Sequence, residues 1–294
     1  MSGFSRICLI GFGEVGQTLA ADLVAAGVSD LTSFDIAFAD VGSIPSRALA
    51  EYPSVRPFET AADSASGAQL IISAVTAAQD VEAARSVTPG IAAGAFFLDL
   101  NSASPGMKQA SAELIEAAGG RYVEAAVMSP IGPKRIASPM LLGGPHAAAF
   151  ADLARPLGFV GAKPYSPTVG KASATKMCRS VMIKGVEALV TESMLAARHY
   201  GVEQEVLASL SDLLPVGDWP KLAQYMISRS LEHGTRRAEE MREAGRTVQE
   251  AGVEPHMCFA ISERQDWAAG HKDALAEPEL GAMLDAILQE IKAT

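Results

Sequence analysis

A short apolar run, residues 6–10, leads directly into Gly11-Phe12-Gly13-Glu14-Val15-Gly16, and an alanine-rich stretch of helical character follows. Three glycines at this spacing, set between a strand and a helix, restrict the fold severely. The first permits a tight turn, the second lets the backbone approach a pyrophosphate, and the third lets helix and strand pack closely. The helix start then presents unpaired N–H groups and the positive end of its dipole to anionic oxygens. A second apolar run, 31–34, ends at Asp35, nineteen positions after Gly16. A carboxylate so placed accepts hydrogen bonds from the ribose hydroxyls of an adenosine. Gly11, Phe12, Gly13, Glu14, Val15, Gly16 and Asp35 are therefore expected to bind a nicotinamide dinucleotide. Asp35 repels a 2′-phosphate and no arginine follows it immediately, so NAD is expected in preference to NADP.

The first half continues the same alternation. Apolar runs at 69–75, 96–100, 122–126 and 140–143 read as strands, and segments at 17–26, 77–85 and 107–118 read as helices. Such an order gives a mostly parallel sheet with helices on both faces. Residues 1–165 are thus expected to form a doubly wound α/β domain of the Rossmann kind. The pattern changes after Pro164 and Pro167; from 170 to 200 there is neither a proline nor a convincing strand. Two apolar stripes, Met177/Val181/Ala188 and Met182/Val186/Leu189, predict a long helix buried on more than one face. Further helical segments lie at 203–214, 221–232, 236–251 and 279–291. Residues 166–294 are expected to be all-helical, entered through one long interdomain helix.

Composition narrows the classes. The chain has 294 residues, 49% hydrophobic and 20% charged, which suits two globular domains. The run 4–10 is too short for a signal-peptide core, and no run approaches the roughly 18 to 20 apolar residues that span a bilayer. Three separated cysteines fit a reducing compartment, the cytoplasm by default, and five singly placed histidines show no metal-ligand spacing. A net charge of -10 argues against nucleic acid or an anionic membrane as partner. That acidity is uneven. Between residues 125 and 186 the single acid, Asp152, faces eight lysines and arginines, a local charge of +7 against -17 elsewhere. The gap points to an anionic ligand, although a basic patch against an acidic partner subunit also fits it. Lys176 and Arg179 lie one turn apart near the start of the long helix, with no carboxylate three or four positions from either. Buried there, each must meet a ligand or a distant acid.

Three further segments carry a family signature. They are Asp99-Leu100-Asn101-Ser102-Ala103-Ser104-Pro105, Glu124-Ala125-Ala126-Val127-Met128-Ser129-Pro130 and Gly170-Lys171-Ala172-Ser173-Ala174-Thr175-Lys176. With the glycine turn, and in this order, they resemble the β-hydroxyacid dehydrogenases, the family of 3-hydroxyisobutyrate and 6-phosphogluconate dehydrogenases, over essentially the whole chain. The resemblance implies that Lys176 is the catalytic general acid or base. It implies that Asn101, Ser102 and Ser129 orient substrate and nicotinamide, and that Val75 and Thr76 pass along the cofactor. It also implies a homodimer or homotetramer through the helical domain. A helix N-terminus, Arg179 and a cationic nicotinamide ring all disfavour the ammonium form of Lys176, as proton abstraction at neutral pH requires.

The chain departs from the family at the substrate. Arg179 replaces the usual asparagine three positions after the lysine, Pro130 and Ile131 replace glycines, and Glu239-Glu240-Met241 falls where the family has K-D-L. His233, Arg236 and Arg237, one turn earlier, stand where the missing cation could come from, an arrangement similar to a branch of phosphogluconate-dehydrogenase-like proteins. Arg179 and Arg236 would suit a carboxylate or phosphate; a solvated helix face accounts equally well for the pair at 236 and 237. The expectation is an NAD(P)-dependent oxidoreductase for a small anionic hydroxy acid or its aldehyde or keto acid. The alternatives are an imine reductase, against which the retained lysine speaks, an oxidative decarboxylase of a sugar acid, and a non-catalytic NAD-binding protein.

Overall fold

A computed structural model describes residues 4–213, 215 and 217–293. The chain divides into two compact units, Met1–Lys176 and Met177–Thr294. The division falls within the first turns of the long helix, whereas the sequence reading sets it at 165/166.

The first unit is built on an eight-stranded sheet of order β3-β2-β1-β4-β5-β6-β7-β8. The strands are β1 (Arg6–Ile10), β2 (Asp30–Phe34), β3 (Val55–Pro57), β4 (Leu70–Ser73), β5 (Phe96–Asp99), β6 (Arg121–Val127), β7 (Met140–Gly143) and β8 (Ala162–Ser166). All neighbours run parallel except β6 and β7. Between them lie α1 (Glu14–Ala25), α2 (Ile44–Leu49), α3 (Ala61–Ala65), α4 (Asp80–Val87), α5 (Pro105–Ala117), α6 (Ile131–Lys134) and α7 (Ala147–Ala154). The central strands are apolar almost throughout because both of their faces are covered. Alternation of side chains then divides them between two cores. Ile7, Leu9, Leu70, Ile72, Phe96 and Leu98 pack with Leu19 and Leu23 of α1. Cys8, Ile10, Ile71 and Phe97 pack on the opposite face with Val87 of α4 and Ile115 of α5. The two strands missing from the sequence reading, β3 and β8, are the sheet's edges. Each is mostly exposed and carries a proline, Pro57 or Pro164, which an edge tolerates because one side of its ladder has no partner.

The long helix α8 (Lys171–Tyr200) leads into the second unit, which adds α9 (Glu203–Leu213), α10 (Trp219–Glu250), α11 (His256–Ala269) and α12 (Leu280–Ala293). The expected helix 203–214 ends on Leu214, outside the described residues. The segments 221–232 and 236–251 are one continuous helix. Gly234, between the two, marks a close crossing: a Cβ there would lie 2.2 Å from the Gln265 carbonyl oxygen of α11. The double burial expected for α8 is found only in part among the described residues. Met177 is 1% exposed, whereas Met182 and Leu189 are 67% and 59% exposed; of the second stripe Val186 alone packs on the second unit's core. Arg179 is exposed as well, and burial therefore imposes no counter-ion on it. Among the described residues no helix is long and apolar enough to cross a membrane.

One polar network ties the strand ends to the helices behind them. Lys108 of α5 is 1% exposed, and its Nζ lies 2.5 Å from Asp99 Oδ1 and 3.4 Å from Asp80 Oδ1. Tyr122 donates its hydroxyl to Asp99 Oδ2 at 2.7 Å, and Ser111 donates to Asp80 Oδ2 at 3.3 Å. Burial, and the Asp80 charge beside it, push the Asp99 carboxyl up to about 7. Burial works against Asp80 too, but the Lys108 ammonium holds that carboxyl below its ordinary range. Replacing Lys108 by Met leaves two buried carboxylates without a cation, which costs about 3–5 kcal/mol of stability. Urea unfolding should show that loss at neutral pH and a smaller one in acid. Without the lysine both carboxyls titrate above their unfolded values, so the folded state binds more protons and stability rises as pH falls.

Candidate active site

The strand order reverses direction between β1 and β4, and the crevice beyond the carboxyl ends of strands at such a point is where open α/β sheets bind ligands. Gly11 ends β1 with φ +95°, and a Cβ on it would lie 2.4 Å from the Ala74 carbonyl oxygen after β4. A Cβ on Gly16 would lie 2.1 Å from the Gly11 carbonyl oxygen, so α1 packs against the turn only without a side chain there. Gly13, the N-cap of α1, is different: a Cβ on it would meet nothing within 4 Å. That open space before the helix N-terminus is the cradle a pyrophosphate needs, and the residues present fit a dinucleotide.

Asp35 holds this turn from the next strand. Its Oδ2 accepts from Phe12 N at 2.7 Å and its Oδ1 from Ala37 N at 2.8 Å. The N–H of Phe12 is thereby taken by protein, and its ring lies fully buried against Phe38 and Tyr52. Phe12 shapes the turn and offers no donor to a phosphate. Val15 packs on the core beneath and Glu14 is exposed in the first turn of α1. A cleft of about 330 Å³ opens in front, lined among others by Gly13, Asp35, Ile36, Val75, Thr76 and Glu82.

The other half of the crevice is assembled by Asn101. Its Oδ1 accepts from Val75 N at 2.7 Å, while its Nδ2 donates to Ser73 Oγ at 2.9 Å and Asp80 Oδ1 at 2.7 Å. Both amide protons are engaged inside the protein, so Asn101 fixes the loop ends after β4 and β5. The next residue, Ser102, receives a hydrogen bond from Lys176 Nζ at 2.6 Å. Ser129, after β6, is partly buried and donates to the Pro130 carbonyl at 3.3 Å.

Lys176 is held there through the start of α8. Glu124, buried in β6, accepts from Gly170 N at 2.7 Å and from Ser173 N, and Ser173 Oγ donates to the Ala103 carbonyl. Burial raises the Glu124 carboxyl above its ordinary range although these N–H groups oppose the shift. The helix dipole expected to act on Lys176 is therefore already met by a carboxylate. Asp99 and Glu124 head two of the signature segments, but the sequence assigns no role to them, nor to Asp80 and Lys108. A single acid inside the apolar run 122–127 was the available signal for Glu124.

The remaining sequence candidates belong to the second unit. Arg179 is exposed. Arg236 is 55% exposed and pairs with Glu240 Oε1 at 2.7 Å, whose other oxygen meets Lys184. Arg237 pairs with Glu187. The basic stretch is thus partly neutralised by acids distant in sequence, including Asp22, which lies 2.7 Å from Arg135 Nε.

Known proteins complete the picture. Residues 6–170 match the NAD binding domain of 6-phosphogluconate dehydrogenase, and residues 197–268 match a domain of unknown function, DUF1932. A conserved hypothetical protein from Sinorhizobium meliloti is 33% identical, with a TM-score of 0.76 over 97% of this chain and 96% of that one. A conserved protein of unknown function, described as structurally similar to 3-hydroxyacid dehydrogenases, is 30% identical with a TM-score of 0.69 over 90% of this chain and 97% of its own. The 3-hydroxyisobutyrate dehydrogenase of Mycobacterium tuberculosis, solved with L-serine, shares the fold at 18% identity, with a TM-score of 0.71 over 96% and 99% of the two chains. The chain belongs to the β-hydroxyacid dehydrogenase-like family and carries that family's NAD-binding domain.

The three glycines are separable by experiment. Gly13→Ala should fold with unchanged thermal stability yet bind NAD at least about tenfold more weakly by calorimetry, since its methyl fills only the phosphate cradle. Gly16→Ala should lose stability and binding together, because its methyl meets backbone.

Proposed function

We propose that this chain is an NAD-dependent dehydrogenase that oxidises a small anionic hydroxy acid, or reduces the corresponding aldehyde or keto acid. The observation that carries the reading is the Lys176–Ser102 hydrogen bond of 2.6 Å at the end of β5, beside the crevice framed by the glycine turn. A bound dinucleotide supplies the hydride chemistry. Gly11, Gly13 and the N-terminus of α1 hold its phosphates, Asp35 accepts from the ribose, and Val75 and Thr76 line its path. Ser102 and Ser129 orient the substrate, and Lys176 takes the proton from its hydroxyl or returns it in the reverse direction. Arg179, one turn further along α8, offers a guanidinium fork to a carboxylate or phosphate. Arg236 is proposed in the same role, exchanging Glu240 for the ligand. Retention of Lys176 favours hydroxyl over imine chemistry. A second copy of the chain is the proposed cover for the exposed stripe of α8.

A panel containing 3-hydroxyisobutyrate, L-serine, glycerate and 6-phosphogluconate, followed by NADH absorbance and carbon dioxide release, tests the assignment. For the substrate that turns over, Lys176→Ala should lower kcat by about 10²- to 10⁴-fold, the range for a general acid or base. Full turnover by that variant would remove the mechanism. Asp35 and Glu82 both line the cleft and disfavour a 2′-phosphate. Asp35→Ser should therefore weaken NAD and narrow its advantage over NADP in paired titrations.

A further inference from the structure

We propose that Glu124 is a positioning residue that sets the place of Lys176 through the first turn of α8. The inference rests on the reading of Lys176 as the proton-transfer group and adds a device that holds it. Four observations converge. Glu124 is fully buried in a strand whose neighbours are apolar. Its two oxygens accept from the N–H groups of Gly170 and Ser173, where the helix needs an acceptor for its unpaired donors. Ser173 then bonds the Ala103 carbonyl through its hydroxyl, one residue from Ser102, the acceptor for Lys176. Finally, β7 makes room for the carboxylate: a Cβ on Gly143 would lie 2.3 Å from Glu124 Oε2.

The pieces form a closed loop. Strand β6 holds Glu124, Glu124 holds the helix start, the helix start holds the Ala103–Ser102 segment, and that segment accepts from the lysine. Lys176 is three residues beyond Ser173, so a shift or loosening of that turn moves its side chain directly. The carboxylate is required for charge and for valence, since each of its oxygens faces a donor. Gln in its place would turn an NH₂ group toward one of the two N–H groups.

Two variants test this from opposite sides. Glu124→Gln changes the chemistry at nearly constant volume; Gly143→Ala keeps the glutamate and displaces it. Competitive acetic anhydride labelling, resolved by peptide mass, reads the reactivity of Lys176 Nζ against exposed Lys163 as reference. Amide hydrogen exchange reads Gly170 to Lys176, and NAD affinity reports whether the glycine turn is intact. In both variants Lys176 labelling should change at least threefold relative to Lys163, and exchange at 170–176 should accelerate at least tenfold. NAD affinity should stay within twofold. Glu124→Asp, which keeps both acceptors on a shorter stem, should restore part of each effect. Unchanged labelling in a folded Glu124→Gln or Gly143→Ala protein overturns the proposal, and if one variant fails to fold the other decides. These readouts need no substrate, so they are distinguishable from a failure of the catalytic reading, which would show as full turnover in Lys176→Ala.

Discussion

An ammonium group with no water around it must find its counter-charge inside the protein, and Lys108 finds two. The cost of burying it is met only if Asp80 and Asp99 stay close, and each aspartate begins or ends a different element: Asp80 opens α4 and Asp99 closes β5. The cluster therefore fixes where helix and strand meet. Asn101, bonded to Asp80 and Asp99 through its side-chain and backbone N–H groups, passes that restraint to Val75 and so to the loop after β4. The shape of the crevice is thus set from below by charge pairing, and from the side by glycines that admit no methyl group.

The same logic recurs with Glu124. Buried charges are poor sources of net stability, because desolvation offsets most of their attraction, yet they discriminate strongly among geometries. Here both buried sets lie level with the carboxyl end of β5: Asp99 closes that strand and Glu124 of β6 pairs with it in register. Apolar packing in the two cores supplies cohesion; the ionic groups decide which loop conformation that cohesion supports.

Much of this was legible in the sequence. The central strands, the long helix and the glycine turn follow from periodicity, spacing and the special needs of φ > 0 at Gly11. What was missed has physical reasons. Strands β3 and β8 lie at edges where proline is tolerated and little is buried, so they carry no apolar signal. The segments 221–232 and 236–251 join into one helix through Gly234, where a Cβ would lie 2.2 Å from a neighbouring backbone oxygen, a contact that helix propensity does not register. The apolar stripe of α8 at Met182 and Leu189 was read as core, although the chain itself does not cover it. Arg179 accordingly stands in solvent within its own chain, and the argument from buried charge holds for Lys184 and Arg237, whose acids come from distant positions. For the site, residue types that bear on ligands were visible, whereas the acids that hold them in place look like ordinary strand and helix residues until their partners are seen.

The starts of α1 and α8 differ in one respect. The N-terminus of α1 faces open space at Gly13, and the N-terminus of α8 is capped by the protein's own carboxylate. An incoming anion thus meets one vacant and one filled seat, built from the same backbone geometry. Of these two helix starts, only that of α1 has room for the oxygens of an anion.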